Sequence, residues 1–157
     1  MAYAWPIVGP SCAIAGLVEP MPWGKATYTV LRVPEELVSA AAEGGTRRVA
    51  GRLEDVEVNL ALNRAPVLPD VFVWAGASLL RRLRLDVGDP VSGELAPVDD
   101  AAVLVPADVT QLLADAGATE RWEMLTPADR RRRLATIDAA ATAATRARRI
   151  HALIAAL

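Results

Sequence analysis

The chain has 157 residues, with 17 Lys and Arg against 19 Asp and Glu and a formal charge of −2. That length allows one domain, or a small domain with a helical appendage, and a core that needs no disulfide or metal. The charge argues against a protein that coats nucleic acid by bulk attraction, one cysteine excludes an intramolecular disulfide, and one histidine with one cysteine excludes a His/Cys zinc cage.

Alanine supplies 31 residues, and arginine outnumbers lysine 16 to 1. We read this pair as a compositional bias and not as function. No Lys or Arg precedes the first apolar residues, which is unlike a secretory leader. The longest apolar run, Val71 to Leu80, is about half a membrane span. A soluble cytoplasmic protein without a membrane span is expected. Charge is uneven along the chain. Residues 1–105 carry 9 basic and 13 acidic side chains, and residues 126–157 carry 7 and 2.

The first hundred residues read as short strands. Cys12–Glu19 and Lys25–Val33 are two runs, separated by Pro20, Pro22 and Gly24, which interrupt regular structure. Val33-Pro34-Glu35-Glu36 opens a short helix, because proline suits the first turn and acids suit the positive helix end. Gly44-Gly45 stops it. Val49 and Leu53 then alternate with Arg48, Arg52 and Glu54, and Val56, Val58, Leu60 and Leu62 alternate with Glu57 and Asn59. This predicts a half-buried antiparallel hairpin turning at Glu54-Asp55.

Pro66 and Pro69 bracket a connection. Val71–Trp74 is apolar on both faces and predicts a central, buried strand. Leu79, Leu80 and Leu83 predict one or two helical turns. Val87-Gly88-Asp89 is a turn, Val91–Leu95 a strand, and Ala101–Val105 either a last strand or a linker.

The period then changes. Pro106 opens a helix with Val109, Leu112, Leu113 and Ala116 on one face, stopped by Gly117. Thr126-Pro127-Ala128-Asp129 is a strong helix start. Ile150, Leu153, Ile154 and Leu157 repeat the amphipathic spacing, and this face is expected to pack within the chain. Strands followed by helices give an α+β class: a small barrel or sheet, then a helical segment. The expected divisions are an extension over 1–11, a strand-rich domain over 12–105 and helices over 106–157.

Four stretches resemble known families. Trp23-Gly24-Lys25-Ala26-Thr27-Tyr28-Thr29-Val30-Leu31-Arg32-Val33-Pro34 resembles the opening of a small bacterial β-barrel domain of unknown function, and Gly88-Asp89-Pro90-Val91 resembles a turn of it. Val105-Pro106-Ala107-Asp108 and Thr145-Arg146-Ala147-Arg148-Arg149-Ile150 resemble the helical tail of the YdeI/OmpD-associated family, also labelled bacteriocin-protection. The resemblance implies an antiparallel, double-split-type β-barrel before the helices. It implies no reaction. It suggests an accessory role linked to stress or antimicrobial-peptide resistance. The chain departs from the tail's pattern at Ala140-Ala141 and Thr136.

Several residues invite chemistry. His151 is the one imidazole, but it lies among arginines on the last helix and reads as a surface residue. Cys12 reads as a small core residue. Gly24-Lys25 suggests a phosphate loop, but Glu19 stands where a Walker loop needs glycine, and the barrel reading has Lys25 entering a strand. Trp23, Tyr28, Phe72 and Trp74 either fill the core or line a ligand cavity. Glu54, Asp55 and Glu57 read as a solvated acidic turn and not a metal site. Arg130–Arg133 surround a helix, whereas Arg146 and Arg149 share a face and could meet phosphates or pair with acids such as Glu120 and Glu123.

The expected function is therefore a non-enzymatic accessory or binding protein without a cofactor. Its partner is a small ligand or a protein, met through Trp23, Lys25, Trp74, Arg146 and Arg149. The chain is expected to be a monomer or a homodimer. One alternative is a nucleic-acid-binding regulator using the basic C-terminal helices. A second is an enzyme with a carboxylate or arginine site.

Overall fold

Antiparallel pairing organises the first part of the chain. The computed structural model describes residues 5–157, which divide into one unit ending at Ala102 and another spanning Val103–Leu157. The first unit contains β1 (Cys12–Leu17), β2 (Glu19–Trp23), β3 (Ala26–Arg32), α1 (Glu35–Glu43), β4 (Arg48–Leu53), β5 (Val56–Ala61), β6 (Asn63–Ala65), β7 (Leu68–Trp74), α2 (Ala77–Leu83) and β8 (Pro90–Val98). The strands form two four-stranded sheets, ordered β1-β8-β4-β5 and β2-β3-β7-β6. The α+β class is as expected, and the sheets are distinct hydrogen-bonded sets. Their outer strands are consecutive in the chain: β1 leads through Val18 into β2, and β5 leads through Leu62 into β6.

Two strands were not anticipated. β2 contains Pro20 and Pro22, which we expected to break structure. It is an edge strand, and two prolines spaced by two lack their N–H groups on the same, outer side. β6 is only three residues long and was hidden beside Pro66. Pro69, expected in a connection, lies inside β7. Ala101–Val105 forms no strand.

The main core lies under both sheets and α1. Leu37 of α1 is fully buried with Val49, Leu53, Val73 and Leu95. The hairpin turns at Glu54-Asp55 as expected, with Leu53 opposite Val56. It is more covered than expected, because Ala50 on its other face is buried with Val98 and Ala102 against Trp5. Trp5, ahead of Cys12, thus belongs to this packing, and Ile7 pairs with Val98.

β4 and β8 approach one another closely at two glycines. A Cβ on Gly51 would sit 2.2 Å from the Glu94 carbonyl oxygen, and one on Gly93 would sit 2.1 Å from that of Arg52. Glycine within a strand marks such a close approach or a sharp bend.

The second unit contains α3 (Ala107–Asp115), α4 (Thr119–Glu123), α5 (Pro127–Asp138) and α6 (Ala143–Ala155). Val109, Leu113, Trp122, Leu134, Ile137, Ile150 and Leu153 form its own core. Gly117 ends α3 region with φ +63°, as its position suggested. Ala116 caps α3 and is exposed, so it does not extend the apolar face. Thr126 caps α5 by accepting from the Asp129 N–H at 3.1 Å. Thr142 caps α6 in the same way through Thr145, a start the sequence reading did not single out. The short α4 was also missed; it exists to bury Trp122.

Replacing Gly51 by Ala should cost about 3 kcal/mol or more, the upper end of what overpacking costs. Replacing Gly76, whose Cβ direction is open, should cost no more than about 1 kcal/mol. Urea denaturation midpoints of the two variants check the difference.

Candidate functional site

Strand register places the aromatic residues on one face of the second sheet. Met21 lies opposite Tyr28, and Trp23 opposite Ala26, across β2 and β3. Val30 lies opposite Trp74, and Arg32 opposite Phe72, across β3 and β7. Side chains alternate along strands, so Trp23, Tyr28, Phe72 and Trp74 share a face with Met21, Val30 and Arg32. The other face of these strands presents Leu31, Val71 and Val73 to the main core.

The shared face has a small core of its own. Met21, Val30, Ala65 and Phe72 are buried there beside Leu68. This explains why Val71–Trp74 is apolar at every position: its two faces serve two separate cores. The rings form a continuous row. Phe72 and Trp74 meet edge to face at 4.9 Å, Trp74 and Tyr28 lie 5.4 Å apart, and Tyr28 and Trp23 lie 6.2 Å apart. These tilted geometries are the favoured ones for aromatic pairs. Phe72 is completely covered, whereas Trp23, Tyr28 and Trp74 remain 39–42% exposed. The row thus has a buried foot and an open end.

The open end is a hairpin tip. β7 pairs with β3 only from Val30 to Arg32, so the Trp23–Tyr28 end of the β2–β3 hairpin extends past it. Gly24 has φ +66° and starts a two-residue turn with Lys25, the position that a type II′ turn gives to glycine. Lys25 therefore lies in the turn and does not enter a strand. The other end of the face is closed by Arg32, which pairs with Glu19 at 2.9 Å and Asp70 at 2.8 Å.

The other candidate residues fall elsewhere. Arg146 lies in α6, where its guanidinium grips Asp108 through two bonds of 2.7 and 2.9 Å and also donates to Asp138 at 3.0 Å. The acids are these, and not the Glu120 and Glu123 that sequence proximity suggested. Arg149 donates to the Thr136 carbonyl at 2.7 Å. Both arginines thus tie α6 to α5, and Arg146 also ties it to α3. The Asp108 carboxyl is held below the usual carboxylate range by the Arg146 guanidinium, and Arg146 is in turn held more firmly protonated.

His151 is exposed. Cys12 is buried, and burial together with the Glu36 carboxylate pushes its thiol up, away from thiolate chemistry. The acidic turn disperses: Glu54 accepts from the Ser92 N–H, and Glu57 accepts from the Trp5 indole. Among the described residues no group of three His, Cys, Asp or Glu side chains could hold a metal ion, and no helix is long and apolar enough to cross a membrane.

Of the residues expected either to fill the core or to line a cavity, Tyr28 joins Trp23 to Trp74, and Phe72 is buried against Trp74. The sequence signal was an aromatic at every second position, Phe72 and Trp74, on the strand that pairs with the one carrying Tyr28. Residues 102–157 match the family model described as Bacteriocin-protection, YdeI or OmpD-Associated. No curated protein and no solved structure matches the chain.

Replacing Arg146 by Met should lower stability at pH 7 by roughly 1–3 kcal/mol, since two carboxylates lose a charged donor. The native carboxyl of Asp108 titrates below its unfolded value, so its contribution is complete above the ordinary carboxylate range and fades as pH falls through the native value. Urea denaturation of the full chain between pH 7 and pH 2 should show that the variant loses less stability on acidification than the parent does.

Proposed function

We propose that this chain, whose residues 102–157 match the YdeI/OmpD-associated family model, is a non-enzymatic accessory protein that holds a partner on the aromatic row of its strand-rich unit. The observation that carries this reading is the row itself. Three large rings stand side by side, each 39–42% exposed, on strands fixed from beneath by a buried Phe72. Large aromatics on a rigid support are the residues from which binding hot spots are made. They offer apolar area together with ring faces that attract cations.

The family description supports the partner class. It names bacteriocin protection, and a cationic, amphipathic antimicrobial peptide would present both apolar and ammonium groups to such a face. The unit also carries more acid than base, 13 against 9 over residues 1–105, which favours the approach of a cation. Lys25, at the hairpin tip, would border the site and set the orientation of an acidic group or chain terminus. The protein would act in the cytoplasm. We also read the two sheets as closing into the small barrel that the family resemblance implies, because their outer strands follow one another directly in the chain and Gly51 and Gly93 permit sharp bending.

The basic-helix alternative loses its leading cations: Arg146 and Arg149 are engaged within their own unit.

Titration with a cationic amphipathic peptide should give a saturable change in tryptophan emission. Tyr28→Ala and Trp23→Ala should each weaken binding about tenfold or more, the loss of at least ~1.4 kcal/mol expected at a hot spot. Arg149→Ala should leave it unchanged. Equal affinity in all three variants would remove the aromatic row from the site.

A further inference from the structure

A second concave region lies on the same unit and shares no residue with the aromatic row. It is a groove of about 500 Å³ between α1, the residues entering β4, and β6. That volume is within the range of small-molecule sites, roughly 300–1,000 Å³. Val38 and Ala41 of α1, with Leu62 and Val71, give it an apolar wall. Arg47 and Arg64 give it two cationic groups.

Backbone pairing brings those two arginines together. The Leu62 N–H donates to the Arg47 carbonyl at 2.8 Å, which sets Arg47 beside Leu62 and two residues from Arg64. Both residues are exposed. Among the described residues no carboxylate or carbonyl binds either guanidinium, in contrast to Arg32, Arg52 and Arg146, which are paired with acids. The nearby acid is already engaged: Asp100 accepts from the Thr46 hydroxyl at 2.8 Å and from the Arg47 N–H at 3.2 Å. Asn63 is likewise engaged locally, donating to the Ala61 carbonyl at the end of β5. The groove thus combines a fixed polar rim, an apolar wall and two guanidinium groups with no internal counter-ion. This occurs in a unit whose overall charge is negative.

We infer that this groove binds a small amphipathic anion, an aliphatic carboxylate or phosphate whose head group lies between Arg47 and Arg64 and whose apolar body lies along Val38, Leu62 and Val71. The guanidinium fork matches two oxygens of either head group. The reading goes beyond the peptide-binding face and does not depend on it.

The test is calorimetric titration of the full chain with octanoate, octyl phosphate and octanol, each below its micelle or solubility limit. Saturable binding of one or both anions at one site, at least tenfold tighter than octanol, is expected; which anion binds more tightly identifies the head group. Arg47→Gln and Arg64→Gln should each weaken anion binding at least fivefold, and Arg121→Gln, on the other unit, should not. Both replaced guanidiniums are without partners, so the urea midpoint should stay put. Ala42→Trp provides a second variant: Ala42 is an exposed helix residue on the groove, and an indole there should block binding without altering charge. Equal affinity for octanol, anion binding that survives both arginine substitutions and Ala42→Trp, or no binding of any probe would each overturn the inference.

Discussion

The close approach of β4 and β8 is the constraint on which the first unit depends. β8 is the common partner of β1 and β4, and β4 is the common partner of β5 and β8. The two glycines flank the Arg52–Glu94 pair: Gly51 faces Leu95, and Gly93 faces Leu53. Each glycine leaves room for a carbonyl of the facing strand, at a point where any side chain would collide with it. Beside this close approach, Leu53 and Leu95 lie in the main core.

From the second sheet follows the candidate site. A sheet with one dry face and one wet face would place polar residues opposite Leu31, Val71 and Val73. Here the opposite face carries Met21, Val30 and Phe72, which are buried by their neighbours on the same face. The surrounding rings of Trp23, Tyr28 and Trp74 serve two purposes. They cover that small core, and they expose part of their own surface. Because Phe72 fixes the foot of the row, the exposed rings would need little ordering on binding the proposed partner, and less affinity would be lost to side-chain entropy.

In the second unit, two of the arginines are engaged within the fold. The run Arg130–Arg133 and the later arginines make this end basic in sequence. In space, Arg146 satisfies Asp108 and Asp138, and Arg149 satisfies a backbone carbonyl. Charge count along the chain cannot separate a cation offered to a partner from one already bound. The reverse holds in the first unit, where the net charge is negative yet Arg47 and Arg64 line one groove with no acid among the described residues bonded to either guanidinium.

The sequence by itself determined the elements with a clear period or cap. The β4–β5 hairpin follows from alternating Val and Leu, α5 from Thr126-Pro127 with Asp129, and α6 from the spacing of Ile150 and Leu153. These are local signals, written within a few residues by side-chain alternation and orphan N–H groups. The tail motifs also pointed to the family whose model matches residues 102–157. Tertiary structure alone decided the rest. β2 survives its prolines because it is an edge strand, and edge position is a property of the sheet. Trp23 joins Trp74 because Tyr28 bridges them across β3, a strand register that no local pattern encodes. Arg146 chooses Asp108, 38 positions away, because helix packing brings them together. Such pairings are set by which elements become neighbours, and that is decided by burial of the whole chain.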